Sequence, residues 1–277
     1  PDPLLWLKMD GPTDPNTPRF VEDSSGNEMH GWRGSSDQWI DIPGIGGGID
    51  FDRGFWGASG ITFDVNDILD VITPNLSDEV TVSCWVTWTE WQDRANYIYD
   101  GRNDLDTRLL SNECPTGNHI RNHCGTKDIW VWEAFNEYSG NFLFREGGTW
   151  GDYQRLTTTV DLNTGAFKMY IDNELYTSQT VSLGGSMAGM TKFWVGRDIN
   201  TYGCMGGHMA DFRLYNEVLR PGHIAELVGD YPYLAKAVYP RHQSVKNPLD
   251  AILEWRAGKG SVAHDVYFGT NYAAIAN

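Results

Sequence analysis

Residues 153–215 constrain this chain more than any other part: YQRLTTTVDLNTGAFKMYIDNELYTSQT, then KFWVGRD, then GGHMADFRLYNEVLRPGHIAEL. Polar and apolar residues alternate with a period of two, and an Asn-Thr-Gly turn and an Asp-Asn turn cut the run into strands. A final strand leads into a short helix predicted over 220–228, with Pro221 in the first turn, where its missing N–H does no harm. Strands that are apolar on one face need a second sheet to cover them, so the pattern predicts an all-β sandwich.

The rest of the chain agrees. Strands are predicted at 38–42, 56–63, 79–91, 96–101, 107–113 and 127–135. Within 79–91, Val80, Val82, Cys84 and Val86 should point into the core, while Thr81, Ser83, Trp85, Thr87 and Thr89 take the opposite face. The same logic puts Phe167, Met169 and Ile171 inside and Lys168, Tyr170 and Asp172 outside. Twelve Trp and 13 Tyr in 277 residues, with 31 Gly, suit aromatic strands joined by tight turns.

A formal charge of -16 opposes binding to nucleic acid, which requires a basic surface to release counterions. No apolar run is long enough for a spanning helix, so membrane insertion is not expected. PDPLLWLKMDG has neither part of a signal peptide, which implies that any such peptide has been removed. The four cysteines lack zinc spacing. Cys114 and Cys124 bracket a Pro-Thr-Gly loop and read as a local disulfide, with Cys84–Cys204 as a second; both imply an oxidising, extracellular compartment.

DLNTGAFKMYIDNELYTS resembles the strand-turn-strand signature of laminin-G-like, concanavalin A-like jelly rolls, and ADFRLYNEVLRPGHIAEL resembles their closing strand and helix. The opening, with DSSGN before Met29–Trp32, is similar to their first strand and turn. The resemblance implies a concanavalin A-like β-sandwich with one short C-terminal helix over residues 1–230. Residues 231–248 then read as a connector. LEWRAGKGSVAHDVYFGTN, in the segment 249–277, resembles the first strands of a fibronectin type III-like module, too short to close its sheets. Many members of the family hold a structural calcium. By position its ligands here would be Asp10, Asp23, Asn27 and Asp211, although Ala210 stands where many relatives have a second carboxylate.

Sugar rings stack on Trp and Tyr while their hydroxyls take charged and amide partners. Trp85, Trp130 and Trp132 are the expected platform on one sheet face, with Arg108, His119, Glu133 and Asn136 as polar partners and the loops 118–125 and 136–148 as alternatives. Catalysis is less expected. A retaining glycosidase needs two carboxylates about 5–5.5 Å apart, and no strand carries E-x-D; Asp104 with Asp106 and Glu133 with Glu137 read as solvated acids. GxSxG and HExxH are absent. The expected function is therefore a secreted, non-catalytic carbohydrate-binding or adhesion module of a larger extracellular protein, taking a polysaccharide or glycan. The alternatives are a cell-surface structural protein that assembles with copies of itself through its C-terminal segment, and a glycoside hydrolase or polysaccharide lyase.

Overall fold

The computed structural model describes residues 1–51, 59–88, 96–102, 108–114, 129–133, 143–146, 153–180, 190–197, 205–227, 236–239 and 254–256. Contacts divide the chain into two compact units, residues 1–42 with 46–228 and residues 43–45 with 229–277.

Among the described residues, the first unit holds two eight-stranded antiparallel sheets. One contains β1 (Leu5–Leu7), β4 (Gln38–Ile42), β5 (Gly46–Phe51), β7 (Glu79–Trp88), β12 (Gln154–Asp161), β13 (Ala166–Ile171), β14 (Glu174–Thr180) and β16 (Gly207–Tyr215). Its order is β14-β13-β12-β7-β16-β5-β4, with β1 also paired to β16. The other contains β2 (Phe20–Val21), β3 (Gly31–Arg33), β6 (Ile61–Phe63), β8 (Asn96–Arg102), β9 (Arg108–Cys114), β10 (Ile129–Glu133), β11 (Leu143–Glu146) and β15 (Lys192–Val195), in the order β11-β10-β9-β8-β15-β6-β3-β2. The all-β sandwich read from the alternation is the architecture observed.

Alternation sets what lies between the sheets. Val80, Val82, Cys84 and Val86 of β7 are buried in one cluster with Phe167 and Met169 of β13 and with Ile61, Phe193 and Val195 of the opposite sheet. Each fully buried side chain of this kind is worth about 1.5–3 kcal/mol. Phe193 joins the layers: its ring centroid lies 6.0 Å from Phe63 and 6.5 Å from Tyr99 in its own sheet, and 6.3 Å from Phe212 on β16. The Tyr99 hydroxyl reaches across to Thr158 Oγ1 on β12 at 3.4 Å.

The outward face is more buried than alternation suggests. Tyr170, expected outside, is only 4% exposed, because the helix α3 (Pro221–Leu227) packs Ile224 and Leu227 against Tyr170, Tyr215 and Leu219. Thr81, also on this face, donates to the Glu217 carbonyl at 2.8 Å and accepts from the Leu219 N–H at 2.9 Å, which pins the chain leading into the helix. One stretch of helix was not expected: α1 (Val65–Asp67), a π-helical turn Ile68–Ile72, and α2 (Thr73–Asn75). Asp64 caps it by accepting the Asn66 N–H, and Ile68 and Ile72 are buried on one side. The apolar spacing at 65, 68, 69 and 72 carries that signal.

Cys84 is a free, buried thiol, which corrects its expected pairing with Cys204. It sits in the core row of β7, and burial pushes its pKa up to about 12. Cys124 and Cys204 lie outside the described residues. In the second unit, β17 (Lys236–Tyr239) pairs antiparallel with β18 (Glu254–Arg256), so a strand falls within the stretch read as a connector.

Candidate functional site

The outward face of the first sheet is built in rows by strand register. In one row Arg155 of β12 lies opposite Trp85 of β7, which lies opposite Ala210 of β16. In the next, His208 of β16 lies opposite Thr87 of β7 on one side and Asp50 of β5 on the other. Tyr153 sits one residue before β12. While α3 covers the far end of this face, Trp85, Tyr153, His208 and Asp50 stay partly exposed.

These side chains are tied together. The Tyr153 hydroxyl is hydrogen-bonded to His208 Nδ1, their rings stack at 5.8 Å, and His208 Nε2 lies 3.5 Å from Asp50 Oδ1. Burial lowers the pKa of His208 and raises that of Tyr153, while Asp50 pushes both upward. A neutral imidazole that accepts from Tyr153 at Nδ1 and presents Nε2–H to Asp50 fits this arrangement.

Beneath lies a polar floor. Arg155 is wholly buried; its Nε donates to Ser83 Oγ at 2.8 Å and its Nη1 to Asp211 Oδ2, and its guanidinium carbon stands 5.9 Å from the Trp85 ring centroid. Ser83 Oγ in turn bonds Thr157 Oγ1 at 2.7 Å. Asp211 Oδ1 accepts from Arg213 Nε at 2.9 Å and from Trp6 Nε1 at 2.6 Å. Burial alone would raise the Asp211 pKa, but Arg155 and Arg213 hold it below the usual carboxylate range. Asp211 sits at a β-bulge with φ 49°, a left-handed conformation that Asp tolerates better than most residues. Arg155 Nη2 and Thr87 Oγ1 are buried with no hydrogen-bond partner among the described residues.

The residues expected to hold calcium do not form a metal centre. Asp23 accepts from the Trp6 and Ser25 N–H groups at Oδ1 and from the Met29 N–H and the Ser25 hydroxyl at Oδ2, which fills its four lone-pair positions. Asp211 faces two guanidinium groups, a setting that repels a cation. Asn27 donates Nδ2 to the Leu4 carbonyl at 2.9 Å, and Asp10 is exposed. Among the described residues, no three His, Cys, Asp or Glu side chains gather as a metal centre. Asp23, Ser25 and Asn27 instead tie the first turn to β1, and this set does not fit a calcium ion.

Nor do the three tryptophans share a face. Trp85 belongs to the first sheet, whereas Trp130 and Trp132 lie on β10 of the second, opposite Arg145 and Leu143 of β11. Arg108 begins β9 and Glu133 ends β10, paired with Ser111; His119 and Asn136 fall outside the described residues. Tyr153, Arg155, His208 and Asp50 were missed. Their signal was the polar parity of β5, β12 and β16, which becomes a site only once strand order is known.

A profile of the family described as the concanavalin A-like lectin/glucanases superfamily matches residues 57–225, more than half of the chain. No curated protein sequence matches. Among solved structures, the botulinum neurotoxin serotype G binding domain is similar over 86% of this chain and 54% of its own, with 16% identity and a TM-score of 0.61. The botulinum neurotoxin serotype D ligand binding domain in complex with N-acetylneuraminic acid is similar over 83% and 51%, with 14% identity and a TM-score of 0.56. The Trypanosoma rangeli sialidase in complex with the inhibitor DANA is similar over 80% and 32%, with 14% identity and a TM-score of 0.57. The chain thus spans about half the length of the toxin domains and a third of the sialidase. At these identities the likeness is one of fold.

Proposed function

The chain belongs to the concanavalin A-like lectin/glucanases superfamily, and from that premise we propose that it is a non-catalytic carbohydrate-binding module of a larger extracellular protein. The observation that supports this reading is the open end of the first sheet, where the partly exposed Trp85 stands beside Tyr153, His208 and Asp50 over a buried polar floor. An aromatic face for the C–H side of a sugar ring, with donors and acceptors around its rim, is the composition of a glycan site. The serotype D toxin domain that shares this fold was crystallised with N-acetylneuraminic acid, in keeping with a sugar ligand. No described helix is long and apolar enough to cross a membrane.

A glycan array probed with the full chain tests the reading. Binding to at least one polysaccharide class is expected, unchanged by chelator, and weakened tenfold or more by Trp85→Ala, a loss in the range of removing one buried aromatic contact. A folded Trp85→Ala protein that binds as the wild type does would move the site elsewhere. Silence across the array would sink the proposal.

A further inference from the structure

One cross-strand row crosses the open end of the first sheet. Gln154 pairs with Val86, which brings Tyr153 level with Thr87; Thr87 pairs with His208, and His208 with Asp50. Gln38 of β4 ends the row opposite Asp50, its amide nitrogen donating to the Ser36 carbonyl at 3.3 Å. The Tyr153 hydroxyl is bonded to His208 Nδ1, the two rings stack, and Nε2 lies 3.5 Å from Asp50 Oδ1. The side chains of His208 and Asp50 are 23% and 40% exposed, so a ligand can reach the row from outside. We propose that Tyr153 and Asp50 act here as hydrogen-bond acceptors only while His208 is neutral: they take the hydroxyl donors of a glycan without acidic groups, and protonation of His208 releases that glycan. The proposal rests on the glycan-binding function stated above.

Asp50 decides the direction of each bond. A carboxylate beside Nε2 favours a proton on that nitrogen, so in the neutral ring Nδ1 carries the lone pair and the Tyr153 O–H donates to it. The Tyr153 oxygen then offers a ligand lone pairs and no proton, and a carboxylate accepts only. A sugar hydroxyl can donate to either. A carboxylate or sulfate can donate to neither, and it meets the Asp50 charge at close range. A second proton on His208 reverses the chain: Nδ1–H donates to the Tyr153 oxygen, and the imidazolium draws Asp50 into a charge-assisted bond. Both acceptors are then spent within the protein. Among the described residues, the other charged groups at this end of the sheet are Arg155 on β12, Asp211 and Arg213 on β16, Asp172 after β13, which accepts from the Arg155 N–H at 2.9 Å, and Lys8 over the Trp6 ring; β7 faces His208 with the uncharged Thr87. The Arg155, Asp211 and Arg213 side chains are at most 8% exposed and paired with one another, which leaves Asp50 as the charge next to the ring. Burial lowers the His208 pKa and Asp50 raises it, with the lowering prevailing, so the ring is neutral at pH 7.5 and takes its proton below the ordinary value of about 6.5.

A glycan array probed with the full chain at pH 7.5 and pH 5.0 tests this, with cellohexaose, xylohexaose and fully methyl-esterified oligogalacturonate among the neutral probes and oligogalacturonate and chondroitin sulfate among the acidic ones. The strongest signal at pH 7.5 should fall on a glycan without acidic groups. Calorimetry with that glycan should show an affinity lower by about tenfold or more at pH 5.0, the loss expected of a hydrogen bond to a charged group. The fall should disappear in His208→Gln. If that variant does not fold, Tyr153→Phe replaces it: it keeps the ring, removes the oxygen that the proton switches, and should bind more weakly at pH 7.5 with a smaller fall. An acidic glycan as the strongest binder, a neutral one held equally well or better at pH 5.0, or a fall undiminished in the folded variant overturns the proposal and leaves glycan binding standing. Silence across the array at both pH values removes glycan binding itself.

Discussion

Asp211→Ala probes the polar floor of the first sheet most directly. The substitution removes one carboxylate and strands three donors, Arg155 Nη1, Arg213 Nε and Trp6 Nε1. Two of these belong to buried cations, and breaking a buried ion pair by deleting one member costs about 3–5 kcal/mol. Ala must also adopt φ 49°, which adds roughly 1 kcal/mol. The expected loss is therefore about 4–6 kcal/mol in urea denaturation at pH 7. At about 2–4 °C per kcal/mol for a unit of this size, Tm should fall by roughly 10–20 °C. Asp211→Asn keeps an acceptor and a residue suited to that φ, so it should lose clearly less than Ala. If Asp211 served chiefly as a calcium ligand, chelator would reproduce the Ala phenotype in the wild type. A wild-type Tm unmoved by EDTA is expected. An Ala variant within 1 kcal/mol of wild type, or an Asn variant as damaged as Ala, refutes the argument that the two arginines need this charge.

Three further outcomes are expected. Gly196→Ala should destabilise by about 2–4 kcal/mol, because φ is 77° there and an added Cβ would press into the Phe51 ring well inside van der Waals contact; an unchanged urea midpoint would count against that packing. Cys84, buried with its thiol pKa pushed up to about 12, should resist iodoacetamide in the native protein and react in urea, as read by peptide mass; rapid native alkylation would contradict its place in the core. His208 has its folded pKa below the unfolded value of about 6.5, so its contribution is full above that pH and falls as pH drops toward the folded value. Stability measured at pH 7.5 and 5.5 should therefore decline less in His208→Gln than in wild type, and identical declines would show that the ring is not held neutral.

Much of the frame is legible because strand alternation is local. Val80 to Val86 show their period without reference to any other strand, and β4 begins and ends where its five-residue pattern does. The DSSGN turn is equally local, although its role is not. The same Asp23 that could ligate a cation fills its lone pairs with N–H and O–H groups, one of them 17 residues away. Tyr170 reads as exposed from its parity, and only a helix more than 50 residues later covers it.

Sequence alone determined the sandwich, its core faces and its closing helix, since each follows from periodicity and turn chemistry within a few residues. Only the tertiary structure decided the site. Strand order brings Arg155 to Asp211, 56 positions on, and Trp6 to the same carboxylate across 205. It likewise joins Tyr153 to His208 and separates Trp85 from Trp130 and Trp132. Parity says which side chains leave a sheet on the same face; which strands become neighbours, and in what register, is a property of the whole sheet, and the chemistry of the floor depends on that pairing.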